Sequence, residues 1–333
     1  MLNIPDPLDQ PATPDALRHQ ARHGVLDGPA LRRALALIGH TPPAGRWAAF
    51  LDLLLLVLGA GLLVSGVIFF FAFNWDGMHR FAKLGLIEGA LAAAVGLASW
   101  RGLDTLPGKV ALSAAAGMVG ALMAVFGQVY QTGADSYQLF ALWALLISGW
   151  VLAGRFTPLW AFWLLLLDLA IWLWAIETRG ELDGATLIGL FSLNALALAL
   201  WEWARRQGVA WLRSRWTPRL FASLAIGALA IATLLVILGD RVDLDGDPWL
   251  LAAPPLFVAA VGLLAYHYSQ RLFDPFILVV TALAACVCLN SWVSEVLDLD
   301  EEILIVLGLL VIGQTAAVVA WVRRRALLWE VRQ

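Results

Sequence analysis

Two polar segments, NWDGMHR at residues 74–80 and GQVYQTGADSYQ at residues 127–138, interrupt an apolar stretch that runs from Phe73 to Leu139. Apolar runs flank both segments, and about 20 consecutive apolar residues are enough to cross a bilayer as an α-helix. Each segment is therefore predicted to join two membrane-spanning helices. Both segments are predicted to lie on the same side of the membrane.

The composition of the whole chain agrees with this interpretation. Hydrophobic residues make up 61% of the 333 residues and mean hydropathy is +0.79, whereas soluble domains are about 45–50% apolar. We predict an all-α, polytopic integral membrane protein with about ten transmembrane helices. Tryptophans near the predicted helix ends, such as Trp201, are expected at the level of the lipid headgroups. The approximate ranges of the spans are 48–73, 81–100, 110–127, 139–154, 159–176, 185–203, 219–238, 250–268, 276–293 and 303–322.

The distribution of Lys and Arg predicts the orientation. Of the 22 basic residues, 18 fall in the two terminal segments and in the loops on their side of the membrane, while four fall on the opposite side. Because short cytoplasmic loops are enriched in Lys and Arg, the N-terminus and the C-terminus are both predicted to be cytoplasmic. The two polar segments are then periplasmic. The predicted domains are a cytoplasmic helical hairpin, residues 1–46, and a transmembrane domain, residues 47–333.

The N-terminal segment is predicted to contain two short helices. The first spans Asp15 to His23 and stops at Gly24, since glycine readily adopts the left-handed conformation that ends helices. The second follows Asp27, a favourable N-cap residue. The arginines of this hairpin have two interpretations: a solvated basic face that obeys the topology rule, or a surface that docks a partner protein or the membrane.

Polar residues of the two periplasmic segments form the main candidate site: Asn74, Trp75, Asp76, Arg80, Gln128, Tyr130, Gln131, Thr132 and Asp135. Capping explains part of this set, because Asp76 suits the N-cap of the second span and Asp135 with Gln138 fits a capping box. The other side chains exceed what capping requires. Two interpretations therefore stay open, a structural network that joins the hairpin ends and a ligand-binding cleft.

Two carboxyl groups are predicted to lie within the membrane. Glu88 is placed about two turns into the second span, and Asp168 near the middle of the fifth, where no basic residue shares its span. Because a charged side chain in the bilayer is costly without a partner, both are candidate functional residues. They could form a proton or cation relay, or they could be hydrogen-bonded groups that hold helices together.

Several functional classes are not indicated by the sequence. It contains no phosphate-binding loop, no G-x-S-x-G, no H-E-x-x-H and no paired C-x-x-C, so we expect neither an enzyme nor a bound cofactor. The basic residues are spread along the chain as topology determinants, which argues against a nucleic-acid partner. A lone His79 beside Asp76 is weak support for a metal, and no metal site is predicted.

The two polar segments also resemble those of a known family. The combination of Asn74-Trp75-Asp76, Arg80 and Gly127-Gln128-Val129-Tyr130, followed by Asp135 and Trp143-Ala144-Leu145, is similar to the bacterial "predicted membrane protein" family, domain of unknown function number 2157. The resemblance covers roughly residues 14–176, so the transmembrane domain divides into a family-like core at 47–176 and additional spans at 177–333. It implies a multi-pass protein of the bacterial inner (cytoplasmic) membrane and no particular activity.

Two functions are compatible with these features. The first is transport of a small solute or ion across the membrane, with Glu88 and Asp168 as coupling carboxyls and the periplasmic motif as the outer site. The alternative is an envelope scaffold or sensor without transport activity, which contacts partner proteins through its outer loops and its N-terminal hairpin.

Overall fold

In the computed structural model, the described residues are 13–37, eight residues between 47 and 62, and the ranges 77–239, 247–296 and 304–330. All regular structure in them is helical. Two compact units are present, Met1–His79 and Arg80–Gln333. The eleven α-helices of the described residues are α1 (Pro14–Arg22), α2 (Gly28–Leu37), α3 (Arg80–Arg101), α4 (Leu106–Tyr130), α5 (Ser136–Gly154), α6 (Thr157–Arg179), α7 (Gly184–Arg206), α8 (Trp216–Ile237), α9 (Pro248–Tyr266), α10 (Pro275–Val296) and α11 (Leu304–Glu330).

The first unit contains the predicted pair of short helices. Gly24 has a φ of +74°, so the left-handed stop after α1 is confirmed. The Asp27 carboxylate accepts a hydrogen bond from the Ala30 amide at 2.7 Å, which is the predicted N-cap of α2. The two helices pack against each other. That they form a separate cytoplasmic domain ending at residue 46 stays a prediction.

Eight helices of the second unit, α3 to α10, are long and apolar enough to cross a membrane. Each one coincides with one of the predicted spans, from the second to the ninth. The first predicted span falls largely outside the described residues. The tenth overlaps α11, which packs on α10 and is not one of the eight. The structure therefore confirms an all-α protein with eight helices long and apolar enough to span a membrane in its described residues, while the count of ten stays a prediction.

Successive helices of the second unit pack against one another. α4 lies against α3 and α5, and α5 against α6, so these four helices pack in the order of the chain. Later in the chain α8 is the central helix, because it contacts α7, α9 and α10. Small buried residues allow close packing in the first half, for example Ala115, Ala116 and Ala144, which have no exposed surface. The space beside α4 is where the candidate site lies.

Candidate functional site

The residues of the first polar segment are only partly described. Asn74, Trp75 and Asp76 lie outside the described residues, so their predicted roles stay predictions. α3 begins at Arg80, whose guanidinium lies 5.1 Å from the centre of the Phe81 ring. Arg80 is exposed and does not line the groove described below.

The second polar segment forms a tight connection between α4 and α5. α4 ends at Tyr130, and Gln131 adopts a left-handed conformation with φ of +45°, which is uncommon for a residue with a side chain. The Thr132 amide donates back to the carbonyl of Gly127 at 3.3 Å. The chain then turns through Gly133 and enters α5 at Ser136. The end of α4 thus presents its polar side chains beside the start of α5.

Side chains at the start of α5 form a network with α6. Gln138 Nε2 donates to Asp135 Oδ2 and to the Tyr137 hydroxyl, both at 3.2 Å, and the Tyr137 amide donates to Glu177 Oε2 at 3.4 Å. The capping-box prediction is only half right. Asp135 occupies the N-cap position, but its carboxylate accepts from the Gln138 side chain and caps no backbone amide. A structural network at this end of the helices is therefore present.

The same end opens into a groove, here called the Glu88 groove, of about 1460 Å³ between α3, α4 and α5. Gln128, Tyr130, Thr132 and Asp135 of the predicted motif line it, whereas Gln131 and Arg80 do not. Its walls are mostly apolar and include Phe81, Leu84, Leu139 and Phe140. The two interpretations of the motif are thus compatible, since part of it forms a network and part lines a groove.

The floor of the Glu88 groove depends on one glycine. The Trp143 side chain of α5 crosses α4 at Gly120, and a Cβ atom placed on Gly120 would lie only 2.4 Å from the indole ring. Trp143 Nε1 donates to the carbonyl of Ala116 at 2.7 Å, and its ring meets Phe162 of α6 edge-on at 5.4 Å. The absence of a side chain at Gly120 therefore lets an indole ring lie between α4 and α5.

Glu88 lies on the wall of this groove. It is eight residues after the start of α3, which is about 12 Å along the helix. Its side chain is exposed, and within the described part of the chain it forms no hydrogen bond or ion pair. The groove therefore contains two carboxylates, Glu88 and Asp135, and no Lys or Arg among its described lining residues.

Asp168 lies in a different place, on α6 beside α7 and α8. Asn194 of α7 donates from Nδ2 to Asp168 Oδ1 at 2.7 Å and to its own Leu190 carbonyl at 3.0 Å. The second oxygen of each group, Asp168 Oδ2 and Asn194 Oδ1, is buried and has no hydrogen-bond partner among the described residues. Both residues line a cavity of about 500 Å³. A carboxyl–amide bridge thus joins α6 to α7.

The structure does not bring Glu88 and Asp168 together. Glu88 faces the groove of α3, α4 and α5, and Asp168 faces a cavity of α6, α7 and α8, with no lining residue in common. A direct relay between them has no geometric support. Among the described residues no three His, Cys, Asp or Glu side chains are close enough to hold a metal ion.

A buried ionic network at one end of α7, α8 and α10 was not predicted. Glu202 and Asp274 are only 5% and 1% exposed. Arg215 bridges them, donating to Glu202 Oε1 at 2.8 Å and to Asp274 Oδ2 at 2.9 Å. Arg205 binds Glu202 at 2.9 Å and Arg219 binds Asp274 at 3.1 Å. The chain segments between the spans are thereby tied to one another.

Further contacts complete this network. The Tyr268 hydroxyl donates to Glu202 at 3.2 Å, and Asp274 caps α10 by accepting from the Phe276 amide at 3.1 Å. Burial alone would lower the pKa of the Arg215 guanidinium, but the Glu202 and Asp274 carboxylates raise that pKa above its ordinary value. Only one part of this network has a signal in the sequence. Asp274 before Pro275 is typical of an N-cap residue followed by a proline in the first helical turn, which indicates that Asp274 caps α10.

The first part of the chain is similar to a known family. Residues 21–160 match the model of a family described as "Predicted membrane protein (DUF2157)". The resemblance inferred from the two polar segments is thus confirmed, and the match ends within α6. No curated protein and no solved structure matches the chain. With eight helices of spanning length, the chain is a multi-pass membrane protein.

Proposed function

We propose that this protein lies in a bacterial inner membrane with both termini in the cytoplasm and transports a small cationic solute through the Glu88 groove. The role is non-enzymatic. One observation carries the proposal: the Glu88 carboxylate lies on the wall of a groove of about 1460 Å³ and has no partner among the described residues. A carboxylate at membrane depth is costly unless water or a cation reaches it, and a transported cation supplies that partner.

The charge and shape of the groove define the solute class. Asp135 and Gln138 lie at its polar end, and Glu88 lies further along α3 among apolar residues. The described lining has two carboxylates and no basic group, so it attracts cations and repels anions. A solute with one positive group and a modest apolar body matches this lining.

Asp168 has a separate role in the proposal. Its Oδ2 atom and Asn194 Oδ1 are two buried acceptors without described partners, and the two residues line a cavity distinct from the Glu88 groove. A proton or small cation bound at Asp168 would neutralise its carboxylate. Asp168 would then couple to the solute through movement of α6 against α5, with which it packs, and not through direct proton transfer from Glu88.

Cysteine accessibility tests the transport proposal. In a background with Cys286→Ala and Cys288→Ala, single cysteines at Glu88, Gln128 and Asp168 are treated with an impermeant thiol reagent in intact spheroplasts and in inverted vesicles. We expect the Glu88→Cys variant to be labelled from both sides, because a transporter exposes its site alternately. Ala144→Cys is the matched control, since Ala144 is fully buried between helices and should react from neither side.

The outcome separates transport from a fixed surface pocket. Labelling of Gln128→Cys from outside alone, with Glu88→Cys and Asp168→Cys unreactive from the cytoplasmic side, would mean that the groove is a pocket over a dry helix bundle. The transport proposal would then be abandoned.

The alternative, a scaffold or sensor, has its own observation. Val25 and Leu37 of the α1–α2 pair are 72% and 88% exposed, and a protein partner that covered these apolar side chains would remove them from water. Affinity purification of the full chain from membranes should then recover a stoichiometric partner that is lost on deletion of residues 1–46. A Val25→Ser, Leu37→Ser variant should lose it too, whereas Gln20→Ser on the same hairpin should retain it.

A further inference from the structure

A second groove lies between α7, α8 and α9, on the part of the chain beyond the family match. Its volume is about 490 Å³, within the about 300–1,000 Å³ range of specific ligand sites. The groove is apolar along most of its length, and its walls include Phe191, Leu198, Ala225, Leu256, Leu263 and Leu264. All three helices are of membrane-spanning length, so these walls lie at the depth of lipid acyl chains.

One end of this groove is basic. Arg206 is the last residue of α7, and its Nη2 atom lies 2.8 Å from Nε2 of His267. Because an arginine only donates hydrogen bonds, Nε2 of His267 is the acceptor. The N–H proton of the neutral imidazole is therefore on Nδ1. The other guanidinium N–H groups and the Nδ1–H group have no partner among the described residues. The mouth therefore offers hydrogen-bond donors and a positive charge.

The carboxylate near this mouth is already neutralised. Glu202 lines the groove, but Arg205, Arg215 and the Tyr268 hydroxyl all contact it. Together with Asp274, two carboxylates are contacted by three arginines, Arg205, Arg215 and Arg219. Arg206 adds a further positive charge, so the mouth favours an anion over a cation.

We propose that this groove binds an anionic phospholipid, with the phosphate at Arg206 and His267 and one acyl chain along the apolar walls. Basic pockets between transmembrane helices at the membrane surface select anionic headgroups by charge, and the apolar groove adds a chain site that a soluble phosphate cannot use. Arg206 lies at a helix end, where a long basic side chain meets headgroups without a desolvation cost. The proposal does not depend on transport.

Native mass spectrometry of the full chain in detergent tests it. Phosphatidylglycerol and phosphatidylcholine with identical acyl chains are added separately, and the fraction of lipid-bound protein is measured. We expect phosphatidylglycerol to bind more tightly than phosphatidylcholine by about fivefold or more, the contribution of one basic residue near an anionic headgroup. Arg206→Gln should bring the two lipids to nearly equal affinity. Arg213→Gln, an exposed arginine that does not line the groove, should preserve the preference.

A second pair of variants tests the acyl-chain site. Ala259 lines the groove, whereas its neighbour Val258 is 70% exposed and does not. Ala259→Trp should lower binding of both lipids by filling the groove, and Val258→Trp should leave binding unchanged. Elution of every variant as a single species checks that the fold is intact.

Three results would overturn the proposal. The unaltered protein could bind both lipids equally, which would remove headgroup selection. Arg213→Gln could reduce phosphatidylglycerol binding as much as Arg206→Gln, which would mean a diffuse surface field. Glycerol phosphate could displace the lipid at matched concentration, which would mean an anion site without a chain site.

Discussion

Glu88 and Glu202 are the same residue type on two membrane-spanning helices, yet their surroundings are opposite. Glu202 of α7 is buried and is held by Arg205, Arg215 and Tyr268. Glu88 of α3 is exposed in a groove and has no partner in the described part of the chain. A carboxylate with every partner in place stabilises the fold, and one without partners is available to a ligand.

The helices that bear these residues differ in the same way. α7, which bears Glu202, has eight buried residues, whereas α3, which bears Glu88, has one, Ala98. Since the free energy of helix packing in a membrane comes from close contact and interhelical hydrogen bonds, α7 to α10 should form the stable part of the second unit. The α3–α5 part should be easier to perturb. The following predictions test that contrast, from the largest expected effect to the smallest.

The largest effect is expected for Asp274→Asn. This change removes the charge that Arg215 and Arg219 contact, at a site where the carboxylate is 1% exposed. Loss of one partner from a buried ion pair costs about 3 kcal/mol, so the free energy of unfolding in detergent should fall by about that amount. Asp104→Asn, an exposed position in the α3–α4 connection, is the control. A fall no larger than that of the control would show that the network is not stabilising.

A smaller loss is expected for Gly120→Ala. The new methyl group would overlap the Trp143 indole, at 2.4 Å from Cβ, and such overpacking costs about 1–3 kcal/mol. Gly117→Ala, one turn earlier on α4, meets nothing within 4 Å and should leave stability unchanged or raise it, because alanine favours helix. Thermal unfolding of both variants, followed by tryptophan fluorescence, measures the difference. Equal stability of the two would contradict the packing of Trp143 on Gly120.

Asn194→Leu should lower the free energy of unfolding by less than Gly120→Ala does. It removes the hydrogen bond to Asp168 Oδ1 and leaves both carboxyl oxygens without a described partner. Interhelical hydrogen bonds in membranes contribute about 0.6–1.7 kcal/mol, so a loss of about 1 kcal/mol in unfolding free energy is expected. Ser192→Ala on the same helix is the control, since Ser192 donates only to its own Ile188 carbonyl. A larger loss for Ser192→Ala would mean that the bridge does not join α6 to α7.

The sequence is sufficient to predict where the helices lie along the chain. It is insufficient to predict which helices and side chains pack against one another. α6, found at Thr157–Arg179, was predictable at 159–176 because an apolar run, a starting proline and a terminal glycine all mark it. Such signals predict how far along a helix a residue lies. They do not predict which neighbouring helix its side chain faces. Trp201 shows the difference: its position near a span end predicts the headgroup level, yet its ring is 6% exposed and packs at 5.6 Å on both Trp211 and Phe221.

The same limit applies to the charged residues. Asp168 and Asn194 were both visible as polar groups in apolar runs, but their pairing depends on which faces of α6 and α7 meet. Arg215 and Arg219 were interpreted as topology determinants because basic residues in the loops between spans usually set the orientation of the protein in the membrane. Their contacts with Glu202 and Asp274 join residues up to 59 positions apart, a separation that no local pattern encodes.

The smallest effect on stability and the most informative effect on function are expected for Glu88→Gln. Because the Glu88 side chain has no described partner to lose, the unfolding free energy should stay unchanged within measurement error. Binding of tetraphenylphosphonium, a probe cation with an apolar body, to the purified full chain should weaken by about fivefold or more, since opposite charges about 4 Å apart attract by ~1 kcal/mol even in water. Glu181→Gln, an exposed carboxylate outside the groove, should bind the probe like the unaltered protein. If Glu88→Gln instead destabilised the protein as Asp274→Asn does, Glu88 would be a structural residue, and the contrast with Glu202 would no longer distinguish a ligand site from a packing site.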